Sequence, residues 1–243
     1  MANCLVAQSG GPTTVINASL AGVVRANQLN PVYDHVYGGL NGIEGILEDR
    51  LYDLTNMSEY ENRLLRQTPS SALGSCRYKL KRNDETDYRK LVEIMDKHDI
   101  EILFYIGGND SMDTVDKLSR CARIRRESIS FIGVPKTIDN DLPVTDHTPG
   151  YGSAAKYVAS TVREISLDAS VYQQPAVTIV ELMGRHAGWV TAAAALARKF
   201  PGDNPLLIYM PEVPFSMEQF FKDVEQALSR QPNVVICVSE GIC

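Results

Sequence analysis

The segment PKTIDND (residues 135–141) places one lysine and two aspartates directly after a short apolar run. Asp139 and Asp141 can serve as a general base and as a ligand of a divalent metal ion, and Lys136 can neutralise a phosphate. A base, a metal site and a cation are groups that phosphoryl transfer uses. A solvated polar turn is the alternative interpretation of the same residues.

Two glycine-rich segments, SGGPTT (residues 9–14) and GGNDS (residues 107–111), each lie between an apolar run and a helix-like stretch. Glycines at such places let backbone N–H groups approach a phosphate near a helix N-terminus. SGGPTT matches neither GxxxxGK[ST] nor GxGxxG, so a purely structural turn is its alternative interpretation. In GGNDS, Asn109 and Asp110 stand at the turn, and we predict that Ser111 caps the next helix.

Three further polar clusters carry an arginine or a glutamate, namely MGRHAGW (residues 183–189), SEG (residues 239–241) and LGSCRY (residues 73–78). Gly184 permits a close backbone approach, and Arg185 can hold a phosphate or a hydroxyl. Glu240 can accept hydrogen bonds from sugar hydroxyls, and Arg77 stands in a glycine-containing loop. A surface salt bridge is the alternative for each charged residue alone.

The elements that must position these clusters are six short apolar runs that alternate with helix-like sequence: NCLVAQ, EILFYI, SISFIGV, AVTIVEL, PLLIYM and NVVICV. This alternation predicts an α/β fold with mostly parallel sheets that are covered on both faces. Ligands of such sheets bind beyond the carboxyl ends of the strands, where the polar clusters stand. After PLLIYM, Ser216 and Gln219 predict a capping box.

The turn-rich segment NDLPVTDHTPGYGS (residues 140–153) predicts the division of the chain. It separates residues 1–140 from residues 141–243. We therefore expect two α/β lobes with a cleft between them.

Composition and charge exclude several classes of protein. A hydrophobic content of 44% over 243 residues is ample for a core, and the net charge of −6 argues against a nucleic-acid partner. No apolar stretch approaches the roughly 20 residues that span a bilayer, so we expect no membrane partner. Five cysteines without a CxxC pair fit a reducing compartment, and a cytoplasmic location is expected.

In this order, the motifs SGG, LGSCR, GGNDS, PKTIDND, MGR and SEG closely resemble the phosphofructokinase family over essentially the whole chain. The resemblance implies two Rossmann-like lobes, a donor-binding lobe at residues 1–140 and a sugar-phosphate-binding lobe at residues 141–243. It implies phosphorylation of the 1-hydroxyl of fructose 6-phosphate, with magnesium (Mg2+) as cofactor and either ATP or pyrophosphate as donor.

The resemblance also assigns roles to single residues. Asp139 is implied to take the proton from the sugar hydroxyl, and Thr137 to contact the sugar or the transferring phosphate. Magnesium is implied to be held by Asp110, Asp141 and Asn109, although Asn109 stands where many members have an aspartate. The remaining implied contacts are Gly11 and Ser111 to the donor, Arg77 to the transferring group, and Met183, Gly184, Arg185 and Glu240 to the sugar phosphate.

Two positions indicate the donor. Members that use ATP typically carry GGDGS and PGTIDND, whereas this chain reads GGNDS and PKTIDND. Asp110 would place a carboxylate against the α-phosphate of a nucleotide, and the like charges would repel. Lys136 would meet the terminal phosphate of a shorter donor. The expectation is therefore the pyrophosphate-dependent branch, which catalyses a reversible reaction suited to glycolysis or gluconeogenesis.

Two alternatives stay open at this point: an ATP-dependent relative, and a non-catalytic fragment that binds phosphate ligands or a partner subunit. Family members are usually longer, so we expect the chain to be incomplete at its C-terminal end. The resemblance also implies a homo-oligomer in which an arginine reaches the 6-phosphate bound by a neighbouring subunit. Arg163 is the candidate, with a solvent-exposed ion pair as its alternative interpretation.

Overall fold

The computed structural model describes residues 2–78, 80, 85–125 and 127–243. The contacts divide the chain into two compact units, Met1–Thr137 and Ile138–Cys243. Each unit has its own sheet and its own hydrophobic core.

The first unit is a five-stranded sheet with helices on its faces. Its elements are, in chain order, β1 (Asn3–Gln8), α1 (Ile16–Leu29), β2 (Val36–Gly39), α2 (Gly42–Leu47), β3 (Leu51–Asp53), α3 (Glu59–Leu65), α4 (Thr86–Lys97), β4 (Ile100–Gly107), α5 (Asn109–Arg125) and β5 (Ser130–Pro135). The strand order is β3-β2-β1-β4-β5, and only the β2–β3 pair among these neighbours is antiparallel.

Strand β1 is the centre of this unit. Its six residues are all buried, and they alternate between the two faces of the sheet. Leu5 packs into the cluster formed with α2, α4 and α5, whereas Val6 packs into the cluster formed with α1. Because a central parallel strand is covered on both sides, it reads as one continuous apolar run.

Strands β2 and β3 were not predicted from the sequence. β2 ends in two glycines, which weaken the strand pattern. The structure explains the second of them, since a Cβ added to Gly39 would lie 2.6 Å from Cγ1 of Ile46. The close packing of α2 against β2 therefore depends on a residue without a side chain.

The second unit is a three-stranded parallel sheet in the order β6-β8-β7. Its elements are α6 (Tyr151–Ala169), β6 (Ala176–Leu182), α7 (Trp189–Ala192) continuing into a 3-10 helix (Ala193–Ala197), β7 (Leu207–Tyr209), α8 (Met217–Leu228) and β8 (Asn233–Ser239). The central strand β8 is almost wholly buried, and Cys237 on it packs against Val162 of α6 and Ala194.

Two predicted helix caps need correction. Ser216 accepts a hydrogen bond from the Gln219 amide and so caps α8, but the side chain of Gln219 donates to Asp223 instead of returning to the cap. Ser111 does not cap α5, because that helix already begins at Asn109. The Ser111 amide donates to the Gly108 carbonyl from within the first turn.

The predicted fold class, α/β with mostly parallel sheets, is confirmed by both units. Among the residues that the structure describes, no helix has the length and apolar character needed to cross a bilayer.

Candidate functional site

The carboxyl ends of β1, β4 and β5 bring the two glycine-rich segments and Lys136 together. These three strands are parallel neighbours in the first sheet, so their carboxyl ends lie along one edge. The Ser9 amide donates to the Ile106 carbonyl at 2.8 Å, and the Lys136 amide donates to the Gly107 carbonyl at 3.0 Å. Backbone hydrogen bonds thus continue past the strands and join the loops that follow them.

Lys136 is built into the glycine turn that follows β1. The residue is only 4% exposed, and its Nζ donates to the Gly11 carbonyl at 2.6 Å. Gly10 has a φ of +76°, and a Cβ added there would lie 3.3 Å from the same Nζ. The turn therefore needs glycine both for its backbone conformation and for the approach of the lysine.

The loop that carries Arg77 is bonded to the same turn. Ser75 Oγ donates to the Gly10 carbonyl at 2.5 Å, and the Gly10 amide donates to the Cys76 carbonyl at 3.2 Å. Ser9 Oγ also donates to Cys76, at 3.3 Å. Arg77 is exposed and follows directly. The structure thus brings the Arg77 backbone next to the glycine turn, as is necessary if both contribute to one site.

The GGNDS segment forms the third side of this arrangement. A Cβ added to Gly108 would lie 3.7 Å from the Lys136 carbonyl, so the two loops are in close contact. Asn109 and Asp110 are exposed in the first turn of α5, whereas Ser111 is buried. A carboxylate at this end of a helix is favourable on its own, because it complements the helix dipole.

Two of the predicted carboxylates belong to the second unit and flank a structured asparagine. Asp139 is half-buried and Asp141 is exposed. Between them, Asn140 has a φ of 57°, donates through Nδ2 to the Asp146 carbonyl at 3.2 Å and accepts the Thr148 amide at 2.9 Å. Asn140 was not predicted from the sequence as a site residue, although asparagine is one of the few residues that adopt this conformation readily. It fixes the turn that presents both aspartates.

The MGR and SEG segments lie side by side at the carboxyl ends of β6 and β8. The Gly184 amide donates to Glu240 Oε1 at 3.2 Å, and Ser239 Oγ donates to the Gly184 carbonyl at 2.7 Å. A Cβ added to Gly241 would lie 2.0 Å from the Arg185 carbonyl. Met183, Arg185 and Glu240 are all exposed beside this contact. These predicted sugar-phosphate residues are thus brought together.

Arg163 lies elsewhere in the second unit. It lines a cavity of about 210 Å³ together with Asp203, Asn204 and Gln231, near the amino end of β8 and not near Glu240. The amides of Lys199 and Phe200 hold the pKa of the Asp203 carboxyl below its usual value, and the Arg163 charge acts in the same direction. This position does not join Arg163 to the MGR and SEG residues of its own chain.

The side chains predicted to hold magnesium have suitable chemistry. Asp110, Asp141 and Asn109 are exposed residues that carry carboxylate or amide oxygens, the donors that this ion prefers. In the part of the chain that the structure describes, no group of three or more His, Cys, Asp and Glu side chains is arranged to hold a metal. Because magnesium keeps several waters and binds substrate phosphates, one or two carboxylates are a fitting protein contribution.

Parallel sheets with glycine loops, a lysine and carboxylates after the strand ends give the chain an α/β architecture of the class whose ligands bind beyond the carboxyl ends of the strands. The chain belongs to the phosphofructokinase family, whose model matches residues 3–243.

The relatives are longer than this chain. It is 45% identical to a pyrophosphate–fructose 6-phosphate 1-phosphotransferase of Halomonas elongata, over 98% of this chain and 58% of the relative. An enzyme of the same name from Xanthomonas campestris is 46% identical, over 99% and 58%. A pyrophosphate-dependent phosphofructokinase structure from Marinobacter aquaeolei is 44% identical with a TM-score of 0.89, over 100% of this chain and 61% of that one. The chain thus spans about three fifths of these relatives.

Proposed function

We propose that the protein transfers a phosphoryl group from pyrophosphate to the 1-hydroxyl of fructose 6-phosphate, reversibly and with magnesium. The observation that carries this proposal is Lys136, whose buried side chain donates to the Gly11 carbonyl beside the loop of Asp110. Family membership and the names of the similar relatives support it.

The donor preference follows from the space that Lys136 fills. Its Nζ lies within 4.0 Å of a Cβ built on either Gly10 or Gly108, so the ammonium stands between the two glycine loops. A cation there suits a compact donor with concentrated negative charge. The exposed Asp110 carboxylate at the start of α5 disfavours a longer donor, because an α-phosphate beside it would meet like charge.

Each predicted site residue has a defined task in this proposal. Asp139 accepts the proton of the 1-hydroxyl as the sugar oxygen bonds to phosphorus and the bond to the leaving phosphate breaks. Lys136 and Arg77 stabilise the charge on the phosphoryl oxygens. Further contacts are made by Gly11 and Ser111 to the donor and by Thr137 to the sugar or the phosphoryl group.

When bound, magnesium would neutralise charge on the pyrophosphate oxygens, and Asp110, Asp141 and Asn109 would hold it. Met183, Gly184, Arg185 and Glu240 would hold the sugar phosphate. One Glu240 oxygen accepts the Gly184 amide, which supports the proposal by tying the carboxylate to the MGR segment.

The proposal includes a homo-oligomer in which Arg163 reaches the sugar phosphate bound by a neighbouring subunit. It also includes donor binding by residues 1–140, sugar-phosphate binding by residues 141–243 and a cytoplasmic location.

The test is a search for fructose 1,6-bisphosphate by phosphorus NMR after incubation with fructose 6-phosphate, magnesium and either pyrophosphate or ATP. We expect product with pyrophosphate, and formation of pyrophosphate when fructose 1,6-bisphosphate and phosphate are supplied instead. Product with ATP alone would overturn the donor assignment. Binding of pyrophosphate without product from either donor would support the non-catalytic alternative.

A further inference from the structure

Two buried amides, Gln8 at the end of β1 and Asn17 in the first turns of α1, hold the loop that leads to Arg77. We propose that the Gln8–Asn17 pair is a positioning element, which sets the Arg77 loop against the glycine turn for phosphoryl transfer. This inference rests on the proposed function, because that function assigns Arg77 to the transferring group.

Gln8 uses both ends of its amide. Its Nε2 donates to Asn17 Oδ1 at 2.9 Å and to the Ile16 carbonyl at 3.1 Å. Its Oε1 accepts the Leu73 amide at 2.9 Å and the Ser71 hydroxyl at 2.8 Å. The side chain is 0% exposed. Gln8 therefore bonds the start of α1 to the loop that precedes Arg77.

Asn17 completes the connection from the helix. Its Oδ1 accepts the Ala72 amide as well as Gln8, and its Nδ2 donates to the Thr68 carbonyl, each at 2.9 Å. Asn17 is also 0% exposed. The two amides together bond to loop residues from Thr68 to Leu73, directly before the residues that bond to the glycine turn.

The contacts continue without interruption to the proposed anion-binding groups. Ser75 and Cys76 bond to Gly10, and the Gly11 carbonyl accepts Lys136. Arg77 is covalently next to Cys76, so its backbone position follows from these bonds. A shift of the loop would therefore change the place of Arg77 relative to Lys136.

The chemistry of the pair favours a role in geometry. Burying amides is costly unless their hydrogen bonds are made, so apolar side chains would be a simpler way to fill the space. When every bond is made, a buried polar network specifies one arrangement of the groups that it joins. The bonds of Gln8 and Asn17 use both polar atoms of each amide in this way.

Asn27 provides a matched control on the same helix. Its Oδ1 accepts the amides of Val32 and Tyr33, and its Nδ2 donates to the Tyr33 carbonyl. It thus holds a loop by three bonds at the opposite end of α1, whereas Asn17 makes two bonds to its loop and one to Gln8. Losing it removes a similar set of bonds far from Arg77.

The experiment compares Asn17→Ala and Asn27→Ala, each alone and combined with Arg77→Met, in steady-state kinetics with pyrophosphate. We expect Asn17→Ala to lower kcat by about 100-fold while the KM for fructose 6-phosphate changes little, since a small misplacement of an active-site group costs that much. In the Arg77→Met background the same change should have almost no further effect. Asn27→Ala should leave kcat unchanged.

Hydrogen exchange supplies a readout that does not depend on turnover. Asn17→Ala should speed exchange of the amides from Ala72 to Arg77, whereas Asn27→Ala should speed only Val32 and Tyr33. Should Asn17→Ala fail to fold, Ser71→Ala removes the hydroxyl that contacts Gln8 Oε1 at 2.8 Å and the Gly74 carbonyl at 2.6 Å, and it should give smaller changes of the same kind.

The positioning role would be overturned if the separate fold-losses of kcat from Asn17→Ala and Arg77→Met multiply in the double variant. It would also be overturned if Asn17→Ala leaves the exchange of the amides from Ala72 to Arg77 unchanged. A wild-type chain that forms no product would overturn the proposed function instead. In that case the affinity for pyrophosphate, measured by calorimetry on the same variants, takes the place of kcat. Equal affinities in wild type and Asn17→Ala would then overturn the positioning role as well.

Discussion

The side chain of Lys136 lies beside the glycine turn after β1, a position that the residues next to it in the sequence do not predict. Its ammonium bonds to a carbonyl 125 residues earlier in the chain. The proximity of the segments could be predicted, because the carboxyl ends of parallel strands share an edge. The burial of the lysine could not, since it depends on the conformation of Gly10 and on the loop at Gly108.

Asn140 illustrates the same limit for a polar residue. The sequence identified Asp139 and Asp141 by their chemistry and passed over the residue between them. Asn140 matters because its amide bonds to Asp146 and Thr148, several residues further along the chain. Such contacts are set by the local fold and leave no spacing pattern in the sequence.

The first prediction concerns the proposed base. Asp139→Asn should lower kcat with pyrophosphate by about 10²–10⁴-fold, because an amide cannot accept the proton of the sugar hydroxyl. The affinity for pyrophosphate, measured by calorimetry, should stay the same. Asp146→Asn is the control, since Asp146 is an exposed aspartate of the same segment. A kcat equal to that of the control would remove Asp139 from the role of base.

At the scale of elements, continuous apolar runs predicted strands β1 and β4–β8. The expected burial on both faces is found in β1, β4 and β8, whereas β5, β6 and β7 contain only half-buried and exposed residues. The pattern failed for β2 and β3. β3 has only three residues, and β2 ends in two glycines. Gly39 packs against Ile46 of α2, and a Cβ on Gly38 would meet Leu73 and Leu54. Packing of a neighbouring element, which no local pattern records, decides the residue type there.

A prediction for the turn after β6 compares two glycines with positive φ. Gly184 and Gly202 both have such angles, but a Cβ at Gly184 would lie 2.4 Å from the Ala187 carbonyl, whereas a Cβ at Gly202 has open space. Gly202→Ala should cost about 1–3 kcal/mol of unfolding free energy from backbone strain alone. Gly184→Ala should cost more.

Urea unfolding followed by the fluorescence of Trp189, the only tryptophan, measures both variants. Trp189 lies in the same unit as the two glycines. Equal losses of stability in the two variants would contradict the close approach at Gly184.

The contact of Asp49, which follows α2, with Lys97 and His98 at the end of α4 predicts that the stability of the protein depends on pH. Hydrogen bonds from Lys97 and His98 hold the pKa of the Asp49 carboxyl below its usual value. Because the folded-state pKa is the lower one, these bonds stabilise the protein above the unfolded-state pKa. Their contribution is lost as the pH falls through the folded-state value.

Asp49→Asn should therefore lower the unfolding free energy at pH 7 by roughly 0.5–1 kcal/mol, a small amount because Lys97 is largely exposed. The difference from wild type should vanish in acid, below the folded-state pKa of Asp49. Urea titrations across this pH range measure the difference in unfolding free energy. The control is Asp96→Asn, because Asp96 is an exposed aspartate of α4, the helix that carries Lys97. A difference that persists in acid would refute the linkage.

At the scale of the whole molecule, the residues assigned to the donor lie in the unit Met1–Thr137. The proposed base and the sugar-phosphate residues lie in Ile138–Cys243. The boundary falls inside PKTIDND, so one segment supplies Lys136 to the first unit and Asp139 to the second. The order of the motifs along the chain was enough to identify the family from the sequence. The positions of the side chains within each unit could not be predicted from that order.

The most direct test of the central claim, that Asp110 and Lys136 select pyrophosphate, is a donor exchange. The variant Asp110→Gly/Lys136→Gly is compared with wild type by kcat/KM for pyrophosphate and for ATP, with fructose 6-phosphate and magnesium in excess. We predict that the ratio of the two values shifts towards ATP, because the cation for the short donor and the charge against the long one are both removed. A variant that keeps the wild-type ratio would contradict the assignment.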